Sequence, residues 1–323
     1  MMLFIGIDIS KLSFDVAYLQ EGRYVNTHFD NDLTGFKAFI KHIKTDVNDT
    51  LICMEATGIY SFGLATFLAE KSFKIIVVNP VSTHAFSKME LNRNKTDKAD
   101  AQIISRYCEH LFVTGDSEQL FYTPKSPDYE ALQRLVTRLE QLEKSKTQEK
   151  NRLEASRNKH TSRSMMRFIT FINAEVKKTK SVISKLINAN DELNMQVNLL
   201  TSIHGIGERT AWSILAYIGD VSFFDNAKQV ASYAGLTPKI TQSGTSVNKS
   251  ALSKLGHKKL RKSLYMPALV AVRYNPLMHT FYERLLAKGK PKKVALVAVM
   301  RKLLVIAYGV LKSEKPFDLN YTG

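Results

Sequence analysis

Four acidic residues of this 323-residue chain have types and spacing that suit metal-dependent chemistry: Asp8, Glu55, Asp97 and Asp100. Asp8 ends one short apolar run and Glu55 ends a second. Asp97 and Asp100 stand three residues apart in a helical segment, so both face one side of that helix. Four carboxylates brought to one point repel each other unless a cation lies among them. Mg²⁺ and Mn²⁺ prefer such oxygen ligands, and Mg²⁺ keeps coordination positions open for substrate phosphates.

Each of these carboxylates also has an ordinary structural explanation when it is taken alone. Asp8 could cap a turn, and Glu55 could be an exposed residue that follows a strand. The acidic pair at 97 and 100 could stabilise a helix N-terminus. The metal hypothesis therefore depends on whether two strand ends and one helix face converge.

The charge of the chain points to a polyanionic partner. The net charge is +16 and the sequence pI is about 9.6, which indicates nucleic acid, with a membrane surface as the weaker alternative. From Asn226 to Ser313 the only acidic residue is Glu283. This asymmetry predicts a metal-binding N-terminal half and a polynucleotide-binding C-terminal half. Residues around one predicted helix start are expected to contact phosphates: Lys254, His257, Lys258, Lys259, Arg261 and Lys262.

Other classes of protein are disfavoured. Cys53 and Cys108 form no metal-ligand pattern and fit a reduced cytosolic protein. The N-terminus has no basic region before its apolar run, so we expect no signal peptide. The apolar stretch Val294 to Leu311 is interrupted by Arg301 and Lys302, which predicts a packed helix and no membrane span.

The first 125 residues predict an α/β domain that could bring the carboxylates together. Three strands within the first 30 residues are followed by helix, strand, helix, strand and helix. This is the element order of the ribonuclease H-like fold, whose metal-binding carboxylates lie at strand ends and on a late helix. The order alone does not distinguish that fold from other α/β folds.

The rest of the chain predicts mainly helix. Residues 126–199 indicate two long helices with a turn near 159–164, forming a helical hairpin or coiled coil. Leu132, Leu135, Leu139 and Leu142 have heptad-like spacing, which fits either a solvated spacer or a self-association surface. Residues 200–323 predict a C-terminal domain. It opens with a helix-hairpin-helix-like element around Gly205 and Gly207, whose backbone N–H groups could approach a phosphate.

Several motifs resemble one family. They are GIDISK at 6–11, EATG at 55–58 and NKTDKADA at 94–101, followed by YAGLTP at 233–238, SGTSV at 243–247, SKLGH at 253–257 and LRKSLYMPA at 260–268. In this order and spacing they resemble the DEDD-type transposases and the Piv-like DNA invertases of insertion-sequence group one-ten. The resemblance covers nearly the whole chain, although the middle helices match only in length and character.

The resemblance implies a RuvC-like domain in which Asp8, Glu55, Asp97 and Asp100 hold the metal. It also implies a serine nucleophile in the C-terminal domain that forms a covalent phosphoserine–DNA intermediate. By position relative to Gly244, Ser243 is the best match to that nucleophile, and Ser246 is the second candidate. Without the resemblance, the hydroxyls would be interpreted as part of a polar loop.

The resemblance further implies donor and target DNA as partners, together with a structured non-coding guide (bridge) RNA that pairs with both. It implies a homodimer that pairs into a tetramer, working in the prokaryotic cytoplasm near the nucleoid. For the oligomer interface the sequence favours the segment Leu132–Leu142. Two alternatives remain: a Holliday-junction-resolvase-like metal nuclease without a covalent intermediate, and an inactive nucleic-acid-binding scaffold.

Overall fold

A computed structural model describes residues 2–43, 45–56, 60–90, 96–124, 126–243, 247–253 and 255–318. For Asp97, Gln119 and residues 240–243 and 247–250 it describes the backbone alone. The chain divides into two compact units, Met1–Pro124 and Lys125–Gly323. The first is mixed α/β and the second is mostly helical, which confirms the fold class predicted from the sequence at this level.

The described part of the first unit contains a five-stranded sheet with the order β3-β2-β1-β4-β5. The strands are β1 Leu3–Ile9, β2 Ser13–Gln20, β3 Arg23–Asp30, β4 Thr50–Glu55 and β5 Lys74–Val78. β1, β2 and β3 form an antiparallel meander, whereas β4 pairs in parallel with both β1 and β5. The helices are α1 Leu33–His42, α2 Tyr60–Glu70, α3 Pro80–Met89 and α4 Asp97–Val113.

Helix α3 was not expected from the sequence. The Asn79-Pro80 pair directly follows β5 and begins this helix. Pro80 occupies the first helical position, and the side-chain oxygen of Asn79 accepts a hydrogen bond from the Val81 N–H at 2.9 Å. Proline is favoured at this position because its missing N–H would have no helical partner there.

The two faces of the sheet bury different cores. Ile5, Ile7 and Ile9 of β1 pack into an aromatic core with α1 and α2, which includes Phe14 and Phe39. Alternate residues of the same strands face α4 instead, where a second core forms around the residues Leu51, Cys53, Ile76, Ile104 and Cys108. The period of two along each strand separates these sets.

Helix α4 approaches β1 at a glycine. A Cβ on Gly6 would lie 2.1 Å from the carbonyl oxygen of Ala101 and 2.2 Å from the backbone nitrogen of Ser105. One turn further along α4, the Ser105 hydroxyl donates to the Phe4 carbonyl at 2.9 Å. Only glycine permits this separation, so Gly6 sets the distance between α4 and the sheet.

The second unit contains the remaining described helices and a short hairpin. The helices are α5 Pro127–Ala155, α6 Lys159–Asn188, α7 Asp191–Thr201, α8 Glu208–Ile218, α9 Ala227–Tyr233, α10 Lys258–Ser263, α11 Tyr265–Tyr274, α12 Pro276–Ala287 and α13 Lys292–Ser313. The strands β6 Pro238–Ser243 and β7 Val247–Leu252 pair antiparallel, in a region where the sequence indicated only a polar loop.

Two boundaries predicted for the middle helices are wrong, and an asparagine cap explains each. The predicted turn at 159–164 lies inside α6, which begins after Asn158, whose side-chain oxygen accepts from the His160 N–H at 2.9 Å. The predicted second helix continued to residue 199. In the structure it ends at Asn188, and Asn190 caps α7 by accepting from the Leu193 N–H at 3.0 Å. Asparagine is among the strongest N-cap residues.

The heptad-like leucines are used inside the chain. Leu132 and Leu139 are 0% and 2% exposed and belong to the core of the second unit, together with Ile183, Ile203 and Leu215 of its other segments. The placement of an oligomer interface on Leu132–Leu142 is therefore wrong, because the chain's own helices cover these side chains. The oligomeric state itself stays a prediction.

Among the described helices, α13 alone is long and apolar enough to cross a membrane by length and composition. However, 56% of its most apolar window is buried inside the unit, with Leu303, Leu304 and Tyr308 in the core. This burial matches the packed helix that the sequence predicts.

We predict that Gly6→Ala destabilises the fold and moves α4 away from β1. The added methyl group would overlap backbone atoms that cannot rotate away, and overpacking of this kind costs about 1–3 kcal/mol. Chemical denaturation of the purified protein measures the loss. Gly63→Ala is the matched control, because its new methyl group would meet only the Phe36 ring, at 3.6 Å, and alanine favours a helix. Equal stabilities of the two variants would contradict the role given to Gly6.

Candidate active site at the strand ends of the first unit

Asp8 and Glu55 are brought together by parallel strand pairing. Ile7 of β1 lies opposite Met54 of β4, so the next positions along the two strands are Asp8 and Glu55. Neighbouring strands are about 4.8 Å apart. Both side chains extend from the face that α4 covers, since Gly6 and Cys53, two residues earlier, lie on that face. The register therefore places two carboxylates, 47 positions apart in the sequence, side by side.

The first turn of α4 lies beside the same strand ends. Ser105 contacts Phe4 and Ala101 contacts Gly6, so α4 approaches Asp8 as it is followed toward its N-terminus. Two strand residues and one helical turn cover similar lengths, about 6–7 Å and 5.4 Å. The turn that begins at Asp97 thus reaches the level of Asp8, and it carries the half-buried Asp100. Among the described side chains, which exclude that of Asp97, no group of three or more metal-ligating residues is close enough to hold an ion.

Thr83 fixes the orientation of Glu55. Its hydroxyl, on α3, donates to Glu55 Oε2 at 2.7 Å, and Thr83 is only 4% exposed. The Ala56 N–H donates to the Val78 carbonyl at 2.9 Å, which extends the β4–β5 pairing past Glu55. A hydrogen bond to one carboxylate oxygen leaves the other available to a cation. Sequence reasoning missed Thr83, and the signal that could have found it is the Asn-Pro helix start three residues earlier.

Asp15 and His28 extend the polar row across the sheet. Asp15 of β2 lies directly opposite Asp8, and His28 of β3 lies directly opposite Asp15. His28 Nδ1 is 3.1 Å from Asp15 Oδ1. Residues directly opposite each other share a face, so His28, Asp15, Asp8 and Glu55 form a row over four strands. Sequence reasoning missed Asp15, although its place between apolar Phe14 and Val16 in β2 indicated the opposite face.

Side-chain contacts hold α4 over this row. Gln102 Nε2 donates to Asn26 Oδ1 of β3 at 3.0 Å. Arg106 Nε donates to Glu90 Oε2 at 2.8 Å, where Glu90 caps the C-terminal end of α3. The guanidinium also lies 6.0 Å from the centre of the Tyr24 ring. These contacts connect α3, α4 and β3, the elements that surround the strand ends.

The serine loop of the second unit is described only in part. The backbone of Ser243 ends β6 and pairs with Val247 of β7. The side chain of Ser243, the whole of Ser246 and the whole of Lys254 lie outside the described residues. The structure thus places Ser243 at the tip of a hairpin, and its role stays a prediction.

Two of the residues expected to contact phosphates have structural partners. His257 caps α10, since its Nδ1 accepts from the Leu260 N–H at 3.1 Å, and its ring stacks 5.6 Å from that of Tyr233. Arg261 donates to the Ala234 carbonyl at 2.9 Å, beside the left-handed Gly235. Both side chains therefore hold the α9–α10 connection together.

Lys259 is also engaged within the chain. Its ammonium group is 3.2 Å from the Thr137 hydroxyl, 3.8 Å from a Glu140 oxygen and 5.7 Å from the centre of the Tyr217 ring. Burial, and then Glu140, raises the pKa of Tyr217 well above its usual value. Lys258 and Lys262 are exposed, and the described residues give their side chains no partner. These two lysines are the ones on α10 that remain free to contact a phosphate.

The helix-hairpin-helix-like element is present as α7, a turn at 202–207 and α8. Gly205 has φ +110°, and a Cβ there would lie 2.7 Å from that of Ala271 on α11. This glycine packs closely against α11, and the approach of its backbone N–H to a phosphate stays a prediction. Gly207, by contrast, has open space at its Cβ position and caps α8. Arg209 donates from two nitrogens to the Glu143 carboxylate and ties α8 to α5.

Comparison with known proteins shows that both units resemble parts of transposases. A DEDD transposase model of the IS110 type matches residues 5–156, and the model described as "Transposase IS116/IS110/IS902 family" matches residues 197–283. A pilin gene-inverting protein of Moraxella lacunata is 36% identical over 98% of this chain and 97% of its own length, as is one of Moraxella bovis. An uncharacterized 43.6 kDa protein of insertion element IS110 from Streptomyces coelicolor is 31% identical over 42% of this chain and 34% of its own length.

This chain belongs to the IS110 family of DEDD transposases. It is therefore an enzyme of DNA transposition and recombination, as the sequence motifs predicted. The first match contains all four acidic residues, and the second contains the serine loop and α10.

We predict that Thr83→Val lowers the rate of recombination by about 10- to 100-fold with little loss of folding. Valine keeps the volume but removes the donor that orients Glu55, and a hydrogen bond to a charged group contributes about 1.5–3 kcal/mol. Strand-exchange rates and thermal melting measure the two effects. Thr83→Ser keeps the hydroxyl and should retain most of the activity. A fully active Thr83→Val variant would show that Glu55 needs no such support.

The two groups of basic residues on α10 should respond differently to mutation. Lys258→Gln or Lys262→Gln should each make the salt dependence of DNA binding shallower by about one unit while leaving the melting temperature unchanged. Arg261→Gln should lower the melting temperature, because the Ala234 carbonyl loses its donor. A salt series with each variant tests this. An equal shift of slope by all three would mean that Arg261 contacts DNA as well.

Proposed function

We propose that this chain is a site-specific DNA recombinase that cuts and rejoins DNA through Ser243, with Mg²⁺ or Mn²⁺ held by Asp8, Glu55, Asp97 and Asp100. The observation that carries the proposal is the register of β1 and β4 beneath the first turn of α4. This register brings the strand-end carboxylates to one place from distant parts of the sequence. If these carboxylates only capped turns or helix ends, Asp8 and Glu55 would not need to lie beside each other.

The donor set suits a hard divalent cation. All four groups are carboxylates, and the Thr83 hydroxyl satisfies one Glu55 oxygen while leaving the other free. When bound, the ion would stabilise negative charge on the phosphate oxygens during the reaction. The chain's own part is to orient these carboxylates, and the Thr83 hydroxyl of α3 does so for Glu55.

The serine step conserves the energy of the phosphodiester bond. Ser243 Oγ loses its proton and forms a bond to phosphorus, while the bond from phosphorus to one strand oxygen breaks and that oxygen takes up a proton. The resulting phosphoserine can be attacked by the hydroxyl of another strand, which reforms a phosphodiester and releases the serine. The position of Ser243 at a hairpin tip supports this assignment, since such a residue can reach a substrate backbone.

Inversion of a DNA segment is the reaction that the relatives favour. Two proteins whose names state that they invert a pilin gene align with 98% of this chain. Inversion and transposition use the same cutting and rejoining steps and differ in where the sites lie. We therefore propose inversion or transposition between specific sites, with donor and target DNA as substrates.

A structured non-coding guide RNA would supply the sequence specificity. Free lysines such as Lys258 and Lys262 support backbone contacts, which position nucleic acid without reading its bases. Delegating recognition to base pairing is compatible with such a surface. The complex would work in the prokaryotic cytoplasm near the nucleoid. It would contain a homodimer that pairs into a tetramer, since four strands are cut.

A metal nuclease without a covalent intermediate is the main alternative. It would use the same carboxylates and leave the serine loop as a binding element. An inactive nucleic-acid-binding protein is the other alternative. A covalent protein–DNA adduct separates the proposal from both.

We predict that Ser243→Ala abolishes the DNA adduct and recombination but leaves DNA affinity within about twofold, because one hydroxyl contributes little to binding dominated by cations. Stalled reactions are analysed for protein-linked DNA, and the modified peptide is identified by mass spectrometry. Ser246→Ala is the matched control and should keep the adduct. Chelation of divalent ions should prevent adduct formation by the wild-type protein.

Three outcomes would revise this proposal. A DNA-linked peptide at Ser246 would move the nucleophile by three residues. Cleavage with free ends and no adduct would support the nuclease. Binding without cleavage, in the presence of Mg²⁺ and a matched guide RNA, would support the inactive protein.

A further inference from the structure

Two cations share one aromatic ring on the surface of the second unit. The guanidinium carbon of Arg284, on α12, lies 5.4 Å from the centre of the Phe281 ring. The ammonium nitrogen of Lys302, on α13, lies 4.8 Å from the same centre. A cation over an aromatic ring is common, but two on a single ring place like charges close together.

These groups border an open cleft of about 360 Å³. It is lined by Pro276, Leu277, Thr280, Phe281, Arg284 and Lys302. Both elements that form it are firmly held. Buried Asn275 caps α12 by accepting from the Leu277 N–H at 3.1 Å, and Met278 is fully buried in the core. The cleft is therefore preformed, and it is lined by two cationic and several apolar side chains.

Neither cation has an acidic partner among the described residues. Glu283 is the only acidic residue between Asn226 and Ser313, and the structure records no ion pair between it and Arg284 or Lys302. Successive helix residues point in different directions, so Glu283 does not face Arg284. Burial, and then the charge of Arg284, lowers the pKa of Lys302. The two cations thus repel each other without neutralisation, and an anion between them would relieve that repulsion.

We propose that this cleft binds a phosphate group of a nucleic-acid backbone, with Arg284 and Lys302 as its ligands and Phe281 against the adjoining sugar. The inference rests on the proposed DNA recombinase function. An arginine can form two parallel hydrogen bonds to a phosphate, and a lysine adds a point charge. Phe281, Pro276 and Leu277 supply apolar surface for a sugar, which free phosphate would not use.

The site is distinct from the basic residues predicted from sequence. Those residues surround the start of α10, whereas Arg284 and Lys302 come from α12 and α13. Sequence reasoning noted the charge of this region but had no means to pair positions 284 and 302, because the pairing depends on how two helices pack.

The test compares two double variants with equal loss of charge. Arg284→Gln/Lys302→Gln removes the cleft cations. Lys288→Gln/Lys290→Gln is the matched control, because both lysines are exposed just beyond α12 and the described residues give their side chains no partner. Affinity for a mixed-sequence duplex is measured across a salt series. The cleft variant should make the salt slope shallower by about one unit, because one phosphate is no longer neutralised, and should weaken binding at least tenfold at ~0.1 M salt. The control should leave the slope unchanged.

A second arm distinguishes the source of the phosphate. Thermal melting with inorganic phosphate or with chloride, at equal ionic strength, should differ little, because free phosphate lacks the sugar contacts. Stabilisation by millimolar phosphate that only the cleft variant loses, with an unchanged DNA slope, would overturn the proposal in favour of a small anion. An unchanged slope without such stabilisation would overturn it outright.

Folding and function are separated by two further measurements. Lys302→Met keeps an unbranched stem against Phe281 and removes one charge, so it should keep the wild-type melting temperature and bind DNA more weakly at ~0.1 M salt. A wild-type DNA affinity for this variant would also contradict the proposal. If wild-type protein binds DNA through the cleft but forms no serine adduct, the proposed function fails while the phosphate site stands.

Discussion

The contact between α4 and β1 at Gly6 is the constraint on which the site of the first unit depends. A helix and a strand can come this close only where the strand has no Cβ, since the Ala101 carbonyl and the Ser105 nitrogen occupy the space that a side chain would fill. This contact fixes the height of α4 over the sheet and, with the Ser105–Phe4 hydrogen bond, its position along β1. The acidic first turn of the helix is then beside the strand ends as a consequence of backbone packing, so the site requires no long or flexible side chain to assemble it.

Polar caps fix where several helices of the second unit begin. Asn158, Asn190 and Asn275 each begin a helix by accepting backbone N–H groups, and each fixes where one long apolar segment turns into the next. The leucines of α5 can then pack against the core of the same chain. Full burial of these leucines stabilises the folded unit more than it would if α5 were an exposed spacer helix with its leucines partly in water. The heptad-like spacing therefore reflects an intramolecular helix interface.

Much of the first unit could be predicted because period-two alternation and strand-end carboxylates are local signals. Apart from α3, the order of strands and helices followed from them, and so did the acidic residues at strand and helix ends. The register that pairs Asp8 with Glu55 could not be predicted, since it is a relation between strands that are distant in sequence. Thr83 and Asp15 were missed because their importance depends on residues of other elements. Thr83 donates a hydrogen bond to Glu55, and Asp15 lies opposite Asp8. In the second unit, asparagine caps were overlooked because apolar periodicity continues on both sides of Asn190.

A count of basic residues overstates how many of them can hold a polyanion. On α10, the sequence presents His257, Lys259 and Arg261 as equivalent to their neighbours, yet each has a partner within the chain, whether a backbone group, a carboxylate or an aromatic ring. A cation that is already paired must give up that partner before it can neutralise a phosphate. Its net contribution to the free energy of binding a polyanion is therefore smaller than that of an unpaired cation. Unpaired cations held close together are the opposite case, since their mutual repulsion is relieved when an anion binds. The number of phosphates that this surface neutralises is therefore set by the pairing of each cation in the fold, and net charge gives only its upper bound.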